Sequence, residues 1–423
     1  MTTTTAVHSD DALERFAAAT CRSCGTRGLT PVLDLGLQPL ANALRTEEQL
    51  AVEEPRYPLE LAWCASCSLV QITTSVSPEL LFSDYPYFSS VSATLVEHAR
   101  GIATRLVRDR GLGPDSLAME VASNDGYLLQ HYQAAGVPVL GVDPAANIAA
   151  HAEARGVPTR CAFFGRELAA ELKADGVRPD VIHANNVLAH VPDLNGFVAG
   201  IATLIGDHGR FVTESPYLKD LLDGLEFDTI YHEHLCYYSL TALVRLFARH
   251  GLAVEDLEHL SIHGGSLRLF VGAASVVQPS EAVTRLLEEE QQWGVDTFEP
   301  YERFGADVDA LGVQLRRMLD DLKAQGHRIA AYGAAAKGST LLNTFGIGPE
   351  RLEYIVDASP HKQGLYAPGT GLAIVPPARL VEDRPDDVLL LAWNFAEEIL
   401  RQQQAYRDAG GRFLVPLPSP RLV

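Results

Sequence analysis

Short apolar runs alternate with longer amphipathic stretches through the middle of the chain. Residues 91–108 repeat apolar positions at the spacing of one helix face and predict a helix. Apolar runs that end in polar residues then predict strands at 116–121, 137–143, 180–184 and 209–214. Because helical segments separate these strands, the pattern predicts a mostly parallel, doubly wound sheet. Ligands of such sheets bind at the carboxyl ends of the strands.

The last third of the chain repeats this alternation after a helical and charged stretch at about 280–325. Strands are predicted at 328–333, 352–357 and 387–393, which indicates a second, smaller α/β domain. The chain has 423 residues, more than one ordinary hydrophobic core supports. We therefore predict three domains: a metal-binding domain (1–75), a central sheet domain (76–280) and a C-terminal α/β domain (281–423).

Two Cys-x-x-Cys pairs near the start of the chain are its clearest chemical signal. They are Cys21 with Cys24, and Cys64 with Cys67. The first residues have neither the basic nor the apolar region of a secretory signal, so a cytoplasmic location is expected. In a reducing compartment, paired cysteines indicate metal ligands rather than disulfides. Four thiolates form a closed tetrahedral zinc site that builds structure and leaves no position for chemistry; reduced thiols without metal are the alternative.

Composition narrows the range of partners. The formal net charge is −20, which argues against nucleic-acid binding because that needs a basic surface. Hydrophobic residues make up 47% of the chain, yet no uninterrupted apolar run approaches a membrane span, so no membrane partner is expected. A phosphorylated small substrate remains compatible with this charge, because a few local cations and helix N-termini suffice to bind it. The two other cysteines, Cys161 and Cys236, are expected to be single buried thiols.

The turn after the first strand of the central domain indicates a cofactor site. Glu120 ends that strand, Gly126 lies in the turn, and Asp143 closes the next strand, where an acid can accept both hydroxyls of an adenosine ribose. Ala122 and Asn124 stand where a dinucleotide fingerprint has glycine, although Asn tolerates left-handed backbone geometry. Such a loop serves the pyrophosphate of a nicotinamide cofactor poorly and modestly favours S-adenosylmethionine, which carries no phosphate. An ordinary strand–helix turn with a capping Asn or Asp is the alternative.

Eight short motifs follow one another along the chain, and their order resembles that of one family. They are Cys-x-x-Cys (21–24), Asp-Leu-Gly-x-x-Pro-Leu-Ala-Asn (34–42), Trp-Cys-x-x-Cys-x-Leu-Val-Gln (63–71), Tyr-Phe-Ser-Ser (87–90), Ser-Asn-Asp-Gly (123–126), Ala-His-Val-Pro-Asp (189–193), Tyr-His-Glu-His (231–234) and His-Gly-Gly-Ser-Leu-Arg (263–268). Over about residues 20–415 the chain resembles the zinc-containing sugar C-methyltransferases of deoxysugar biosynthesis. The resemblance implies an N-terminal zinc domain, a central Rossmann-like class I methyltransferase domain that binds S-adenosylmethionine, and a C-terminal α/β domain that contributes to sugar-nucleotide binding.

The resemblance also implies a reaction. Enzymes of that family methylate a carbon next to the keto group of a nucleotide-linked 4-keto-6-deoxysugar. We therefore expect methyl transfer to such a carbon, C-3, of a dTDP-4-keto-deoxysugar through a base-generated enolate, in deoxysugar or antibiotic biosynthesis. Methylation at C-5 is the alternative within the family, and an NAD-dependent sugar-nucleotide oxidoreductase is the alternative outside it. The residues expected to hold the cofactor are Glu120, Ser123, Asn124, Gly126, Asp143, Asn185 and Asn186.

Residues 231–238 concentrate the groups that this chemistry needs. A 4-keto sugar becomes a carbon nucleophile by losing an α-proton, so the site needs a base and donors to the enolate oxygen. In an extended segment, Tyr231 and Glu233 share one face and His234 the other; the resemblance implies that all three line the active site, so a turn is expected. We predict His234 as the base and Glu233 as the group that orients or tunes it, with Tyr231 as the alternative proton acceptor or as the donor to the ketone. A polar surface strand and a second metal site are the alternatives for this run.

Further candidates lie outside that run. His190 follows the two asparagines as a candidate catalytic partner, and Tyr85 is placed at the active site by its position in the family. Substrate contacts are predicted for Tyr87, His263, Arg268 and Lys337. The lysine is misplaced for a P-loop, so ATP hydrolysis is rejected, but a strand–loop–helix of this kind can bind a diphosphate through backbone amides and one cation. A plain αβ turn, a strand bulge, and packed aromatic or histidine side chains are the alternatives for these positions.

Overall fold

The computed structural model describes residues 10–82 and 88–423 of the chain. The N-terminal module consists of three antiparallel strands, in which β1 pairs with β2 and β2 with β3, and of short helices. Its elements are α1 (Asp10–Ala18), β1 (Thr30–Pro39), a 3-10 turn (Glu48–Ala51), β2 (Arg56–Trp63), β3 (Val70–Ile72) and α2 (Pro78–Phe82). The second Cys-x-x-Cys pair occupies the tight turn between β2 and β3, which brings both of its sulfurs to one side.

The central domain contains a seven-stranded sheet with helices in its connections. Its elements are α3 (Ala93–Arg110), β4 (Ala118–Val121), α4 (Leu129–Ala134), β5 (Val139–Asp143), α5 (Ala146–Ala154), β6 (Thr159–Cys161), α6 (Arg166–Ala174), β7 (Val181–Asn185), α7 (Leu194–Ile205), β8 (Arg210–Pro216), α8 (Leu218–Asp223), β9 (Cys236–Tyr237), α9 (Leu240–Ala248), β10 (Leu252–Leu260) and β11 (Ser266–Ala273). The strand order is β10-β11-β8-β7-β4-β5-β6. Strands β4 to β8 are parallel and β11 is antiparallel to both of its neighbours, so the predicted mostly parallel sheet is confirmed.

Local sequence explains where the first helix of this domain begins and ends. The hydroxyl of Ser92 accepts a hydrogen bond from the Leu95 amide at 3.3 Å, which caps the N-terminus of α3. Gly111 ends the helix with a φ of 62°, a left-handed geometry that glycine adopts without a steric penalty. The helix occupies Ala93–Arg110, close to the predicted range of 91–108.

The C-terminal domain is a second α/β unit that follows two long helices. Its elements are α10 (Glu281–Trp293), α11 (Glu299–Ala324), β12 (Ile329–Tyr332), α12 (Ala336–Phe345), β13 (Ile355–Val356), β14 (Ile374–Val375), α13 (Ala378–Asp383), β15 (Asp387–Leu390), α14 (Ala396–Gln402), α15 (Gln404–Asp408), β16 (Arg412–Val415) and β17 (Arg421–Leu422). Its strand order is β14-β13-β12-β15-β16-β17, and only the β16–β17 pair is antiparallel. In the described part of the chain, no helix combines the length and the apolar composition needed to cross a membrane.

One strand of the N-terminal sheet comes from the central domain. Strand β9 pairs with β3, so this four-stranded sheet has the order β1-β2-β3-β9. Helix α11 covers the same sheet, and its Tyr301 ring stacks on Trp63 with 5.4 Å between ring centroids. The predicted boundary at residue 75 stays a prediction, and strand β9 and helix α11 both pack on the module ahead of it. The pairing also anchors the segment just before β9, which contains the Tyr-His-Glu-His run, at the junction of the two domains.

Candidate active site

The four paired cysteines form one cluster whose geometry fits a metal ion. Their Sγ atoms all lie within 4.8 Å of one another, with 3.5 Å between Cys21 and Cys67 and between Cys24 and Cys64. A zinc–sulfur bond of about 2.3 Å implies tetrahedral S–S edges of about 3.8 Å, which is close to this spacing. These residues would hold the ion with four sulfur ligands, and the site is structural in kind. Of the other two cysteines, Cys236 is buried as predicted, whereas Cys161 is exposed because it ends β6 at the edge of the sheet.

A cavity of about 780 Å³ lies where the carboxyl ends of β4, β5 and β7 face the start of α12. Its wall combines residues of the central domain with residues of the C-terminal domain. The predicted site residues that line it are Asn124, Asp143, Asn185, Asn186, His190, Tyr231, His234 and Lys337. One cleft is therefore lined both by the predicted cofactor loop and by most of the predicted proton-transfer residues.

The cofactor end of the cavity is built on strained turns. Ala122 and Asn124 have φ values of 52° and 48°, and Asn186 across the cavity has 56°. Positive φ in a residue other than glycine is uncommon and clusters at functional sites. The Asp143 carboxylate holds the turn, because it accepts hydrogen bonds from the amides of Asn124 and Ala145, each at 2.9 Å. Its remaining lone pairs face the cavity and fit the hydroxyls of a ribose.

Three residues predicted to bind the cofactor do not line this cavity. Glu120 and Ser123 are buried, with 1% and 0% of their surface exposed, and burial raises the pKa of the Glu120 carboxyl well above its usual range. Gly126 has a φ of 78°, and a Cβ there would lie 2.7 Å from Val157 Cγ2. These residues shape the loop from behind. Asn185, in contrast, lines the cavity, and its Oδ1 has no hydrogen-bond partner among the described residues.

The proton-transfer end contains a tyrosine–histidine pair. His234 Nδ1 lies 2.8 Å from the Thr229 carbonyl, and its Nε2 lies 3.1 Å from the Tyr231 hydroxyl. A carbonyl oxygen only accepts, so we assign the proton of the neutral ring to Nδ1, and Nε2 then accepts from the tyrosine. The surrounding protein desolvates the ring and lowers the pKa of His234 to about 3, with the nearby charges of His190 and Lys337 acting in the same direction.

His190 completes this end of the cavity. Its ring packs edge-on against His234, with 4.9 Å between ring centroids. Desolvation lowers the pKa of His190 to about 4, so both imidazoles are neutral at physiological pH. Neutral imidazoles at this position are suited to accept protons or to donate hydrogen bonds.

The predicted turn at residues 231–234 is present, but Glu233 does not line the cavity. The His234 amide donates to the Tyr231 carbonyl at 2.8 Å, which closes the turn and brings these two side chains together. The Glu233 carboxylate instead accepts from Asn42 Nδ2 of the N-terminal module at 2.7 Å, and burial raises its pKa. The group that orients His234 is therefore the Thr229 carbonyl, which corrects the orienting role predicted for Glu233. Glu233 ties the turn to the metal-binding module.

The predicted substrate residues separate in the structure. Lys337 lies in the first turn of α12 and points over the Trp393 ring at 4.6 Å from its centroid. Arg268 does not line the cavity: it is buried in β11 and bonds to Glu214 at 2.6 Å and Glu258 at 2.7 Å. This network satisfies its guanidinium, so the prediction of a substrate cation at Arg268 is wrong. Tyr85 and Tyr87 lie outside the described residues, as does the side chain of His263.

Some cavity residues carry no sequence motif and escaped prediction. Thr229 acts through a backbone carbonyl, which any residue type would supply. Glu226 is a single acid just ahead of the 3-10 helix Phe227–Thr229. The rings of Phe163 and Phe164 follow β6 and line the cofactor end, where a flat ring offers a stacking surface. Only their positions, just after a strand end or just before a turn, could have indicated from the sequence that these residues line the cavity.

Fold and site together define a class of protein: a methyltransferase with a Rossmann-like catalytic domain and a four-cysteine zinc module. Three family models match the chain in the same order, a zinc binding domain over residues 21–82, a methyltransferase domain over 97–257 and a C-methyltransferase C-terminal domain over 261–418. The C-methyltransferase NovU of Streptomyces niveus is 36% identical over 406 residues, which cover 95% of this chain and 96% of that protein. The chain therefore belongs to the C-methyltransferase family. It is an S-adenosylmethionine-dependent C-methyltransferase with a zinc-binding module, and the oxidoreductase alternative is dropped.

Two solved methyltransferase structures each resemble less than half of the chain. The magnesium protoporphyrin IX methyltransferase of Synechocystis, with bound S-adenosylmethionine, has a TM-score of 0.32 and 15% identity, covering 42% of this chain and 78% of that one. An S-adenosylmethionine-dependent methyltransferase of Clostridium acetobutylicum has a TM-score of 0.34 and 12% identity, covering 42% and 92%. The family assignment rests on the sequence relative and the family models.

Proposed function

We propose that this C-methyltransferase acts on a dTDP-linked 4-keto-deoxysugar and methylates C-3, the carbon next to the ketone. The observation that carries the proposal is the shared cavity, in which Asp143 at one end and the Tyr231–His234 pair at the other are both exposed to the same space. S-adenosylmethionine, when bound, supplies an electrophilic methyl group. The protein must then make a carbon nucleophile beside it, and the tyrosine–histidine pair is suited to remove a proton.

The pair removes the proton as a unit. The Tyr231 oxygen takes the α-proton of the sugar while its own proton passes along the 3.1 Å hydrogen bond to His234 Nε2. The sugar C–H bond and the original Tyr231 O–H bond break, a new Tyr231 O–H bond and a His234 Nε2–H bond form, and the electron pair of the C–H bond is delocalised onto the ketone oxygen as an enolate. The Nδ1–H of His234 donates to the Thr229 carbonyl, and this hydrogen bond favours the imidazolium against the desolvation that lowers the pKa of the ring. His190, whose ring packs edge-on against His234, stays the candidate catalytic partner at this end of the cavity.

The other end of the substrate fits the start of α12. Ala335, Ala336 and Lys337 line the cavity at the N-terminus of this ten-residue helix. Backbone amides and one cation at a helix start bind a diphosphate. We place the nucleotide diphosphate there and the sugar ring between it and Tyr231. For the cofactor, Asn124, Asp143, Asn185 and Asn186 are the proposed contacts.

The experiment is incubation with a panel of dTDP-4-keto sugars and methyl-labelled S-adenosylmethionine, followed by NMR to locate the label. The proposal predicts label on C-3 of one panel member. Label on C-5 would support the enolate mechanism but would replace C-3 by C-5 as the methylated carbon, because both carbons lie next to the ketone. Label on oxygen, or none on any sugar while S-adenosylhomocysteine still binds, would contradict the proposal.

A further inference from the structure

Glu226 is a buried carboxylate in the cavity wall to which the mechanism above gives no role. Only 7% of its surface is exposed, and that part faces the cavity beside Thr229 and Tyr231. Its backbone carbonyl is occupied, because it accepts from the Thr229 amide at 3.0 Å and from the Thr229 hydroxyl at 2.8 Å. Its side-chain oxygens have no hydrogen-bond partner within residues 10–82 and 88–423, and they are open to the cavity rather than sealed in the protein. The free acceptor positions of this largely buried carboxylate therefore face the space in which a ligand would bind.

Two glycines leave room for this side chain. Gly264 and Gly265 have φ values of 92° and 126°, which side-chain-bearing residues rarely adopt. A Cβ on Gly264 would overlap the Glu226 carboxylate, and a Cβ on Gly265 would overlap Asp220. The glycine pair thus lets the loop close over Glu226 without displacing it. Asp220 differs from Glu226, because its carboxylate bonds to His259 at 2.5 Å and does not line the cavity.

The charges around Glu226 indicate what kind of group it meets. The positive charge of Lys337 in α12 favours the ionised carboxylate, while Asp228 and Asp220 add negative charge. Burial raises the pKa of the Glu226 carboxyl to about 7, and Lys337 acts against this rise. A phosphate in direct contact with the Glu226 carboxylate is disfavoured, and Lys337, to which the proposed function assigns the diphosphate, already supplies the nearby cation. A neutral hydroxyl donor fits both constraints.

We propose that Glu226 is a substrate-binding residue whose carboxylate accepts a hydrogen bond from a ring hydroxyl of the sugar. The inference rests on the proposed function, because it takes the ligand between Lys337 and Tyr231 to be a nucleotide-linked sugar. Glu226 lines the same cavity as these two residues: it follows α8, directly precedes the 3-10 helix whose Thr229 carbonyl holds His234, and interacts electrostatically with Lys337 of α12. It therefore selects the sugar at the point where the diphosphate end meets the reacting carbon.

The test compares wild type with Glu226→Ala, Glu226→Gln and the control Asp220→Asn. Each protein is given dTDP-4-keto-6-deoxyglucose and its 2-deoxy and 3-deoxy analogues, and kcat and KM are measured separately. Loss of a hydrogen bond to a charged acceptor predicts a rise in KM of about 10- to 100-fold for E226A, with kcat changed by no more than a few-fold. For one of the deoxy analogues, the KM of wild type should equal the KM of E226A for the sugar that carries all its hydroxyls. E226A should have the same KM for that analogue and for the sugar with all its hydroxyls. E226Q keeps an uncharged acceptor, so its KM should lie between those of wild type and E226A. D220N should retain the wild-type KM.

Binding of S-adenosylhomocysteine by calorimetry shows that each variant is folded. Equal discrimination between hydroxyl and deoxy sugars in wild type and E226A would overturn the proposal. A fall in kcat with unchanged KM, together with loss of deuterium exchange at the α-carbon, would identify Glu226 as the base and would also overturn it. If wild type methylates none of these sugars, the proposed function fails on its own. Glu226 is then judged by calorimetric binding of dTDP-6-deoxyglucose, which E226A must weaken.

Discussion

Tyr231→Phe removes one hydroxyl from the cavity and leaves the ring in place. That hydroxyl donates to His234 Nε2 at 3.1 Å and, in the proposed mechanism, takes the proton from the sugar. The structure provides a matched control in the same domain. Tyr132 is fully buried, and its hydroxyl lies 2.8 Å from His183 Nε2, but neither residue lines the cavity.

The two substitutions should have opposite effects on activity and stability. A positioned proton-transfer group contributes about 10²- to 10⁴-fold, so Y231F should raise the barrier by about 3–5 kcal/mol. Water in the cavity can replace the lost hydroxyl against the partly exposed His234, so Y231F should cost only about 1 kcal/mol of folding stability. Tyr132→Phe leaves a fully buried imidazole nitrogen without its donor. It should cost about 1–3 kcal/mol and leave kcat near the wild-type value.

The assays are single-turnover methyl transfer at saturating substrate and denaturant unfolding of both variants. Binding of S-adenosylhomocysteine should match wild type in each variant, because neither hydroxyl lies at the Asp143 end of the cavity. A Y231F enzyme that keeps its rate within about threefold would refute the proton-transfer role of the hydroxyl, since that role requires at least about 10²-fold. An equal loss of rate in Y132F would show that the effect is structural.

Four further outcomes are expected. His234→Asn should cut turnover strongly and leave S-adenosylhomocysteine affinity near normal; retained activity would remove His234 from proton transfer. At saturating sugar, kcat should stay level as the pH falls from 7 to 5, because a pKa of about 3 keeps His234 Nε2 unprotonated there, and an acid limb near pH 6.5 would contradict this. Asp143→Ala should weaken S-adenosylhomocysteine binding at least tenfold by calorimetry, and unchanged affinity would place the ribose elsewhere. Cys64→Ser should lower the yield of folded protein more than the activity per folded molecule, and elemental analysis that finds active, folded protein without zinc would overturn the metal assignment.

Much of the central sheet could be predicted because its signal is local. The four apolar runs that predict strands each overlap an observed strand, β4, β5, β7 and β8. They are buried on both faces, so their composition alone marks them. The pairing of β3 with the two-residue strand β9 could not be predicted in this way. It joins residues 70–71 to 236–237, and nothing in a two-residue strand specifies so distant a partner.

The candidate site was predictable where several reactive residue types are adjacent in sequence. The Tyr231–His234 turn and the Asp143 strand end are such places, and both line the cavity. Residue type misled at Arg268, because a basic residue beside a glycine loop resembles a substrate contact, whereas Glu214 of the neighbouring strand neutralises it. Glu226 has the opposite problem. A lone acid has no motif, and its unsatisfied carboxylate becomes visible only once α12 and the glycine loop pack around it.

In the proposed mechanism, a single cavity holds the methyl donor at Asp143 and the sugar against the Tyr231–His234 pair. This arrangement can be observed by diffraction from crystals grown with S-adenosylhomocysteine and dTDP-4-keto-6-deoxyglucose. We expect the ribose hydroxyls on the Asp143 carboxylate, the diphosphate at the start of α12, and the carbon beside the ketone within hydrogen-bond reach of the Tyr231 oxygen. A sugar bound outside the cavity, or a nucleoside away from Asp143, would contradict it.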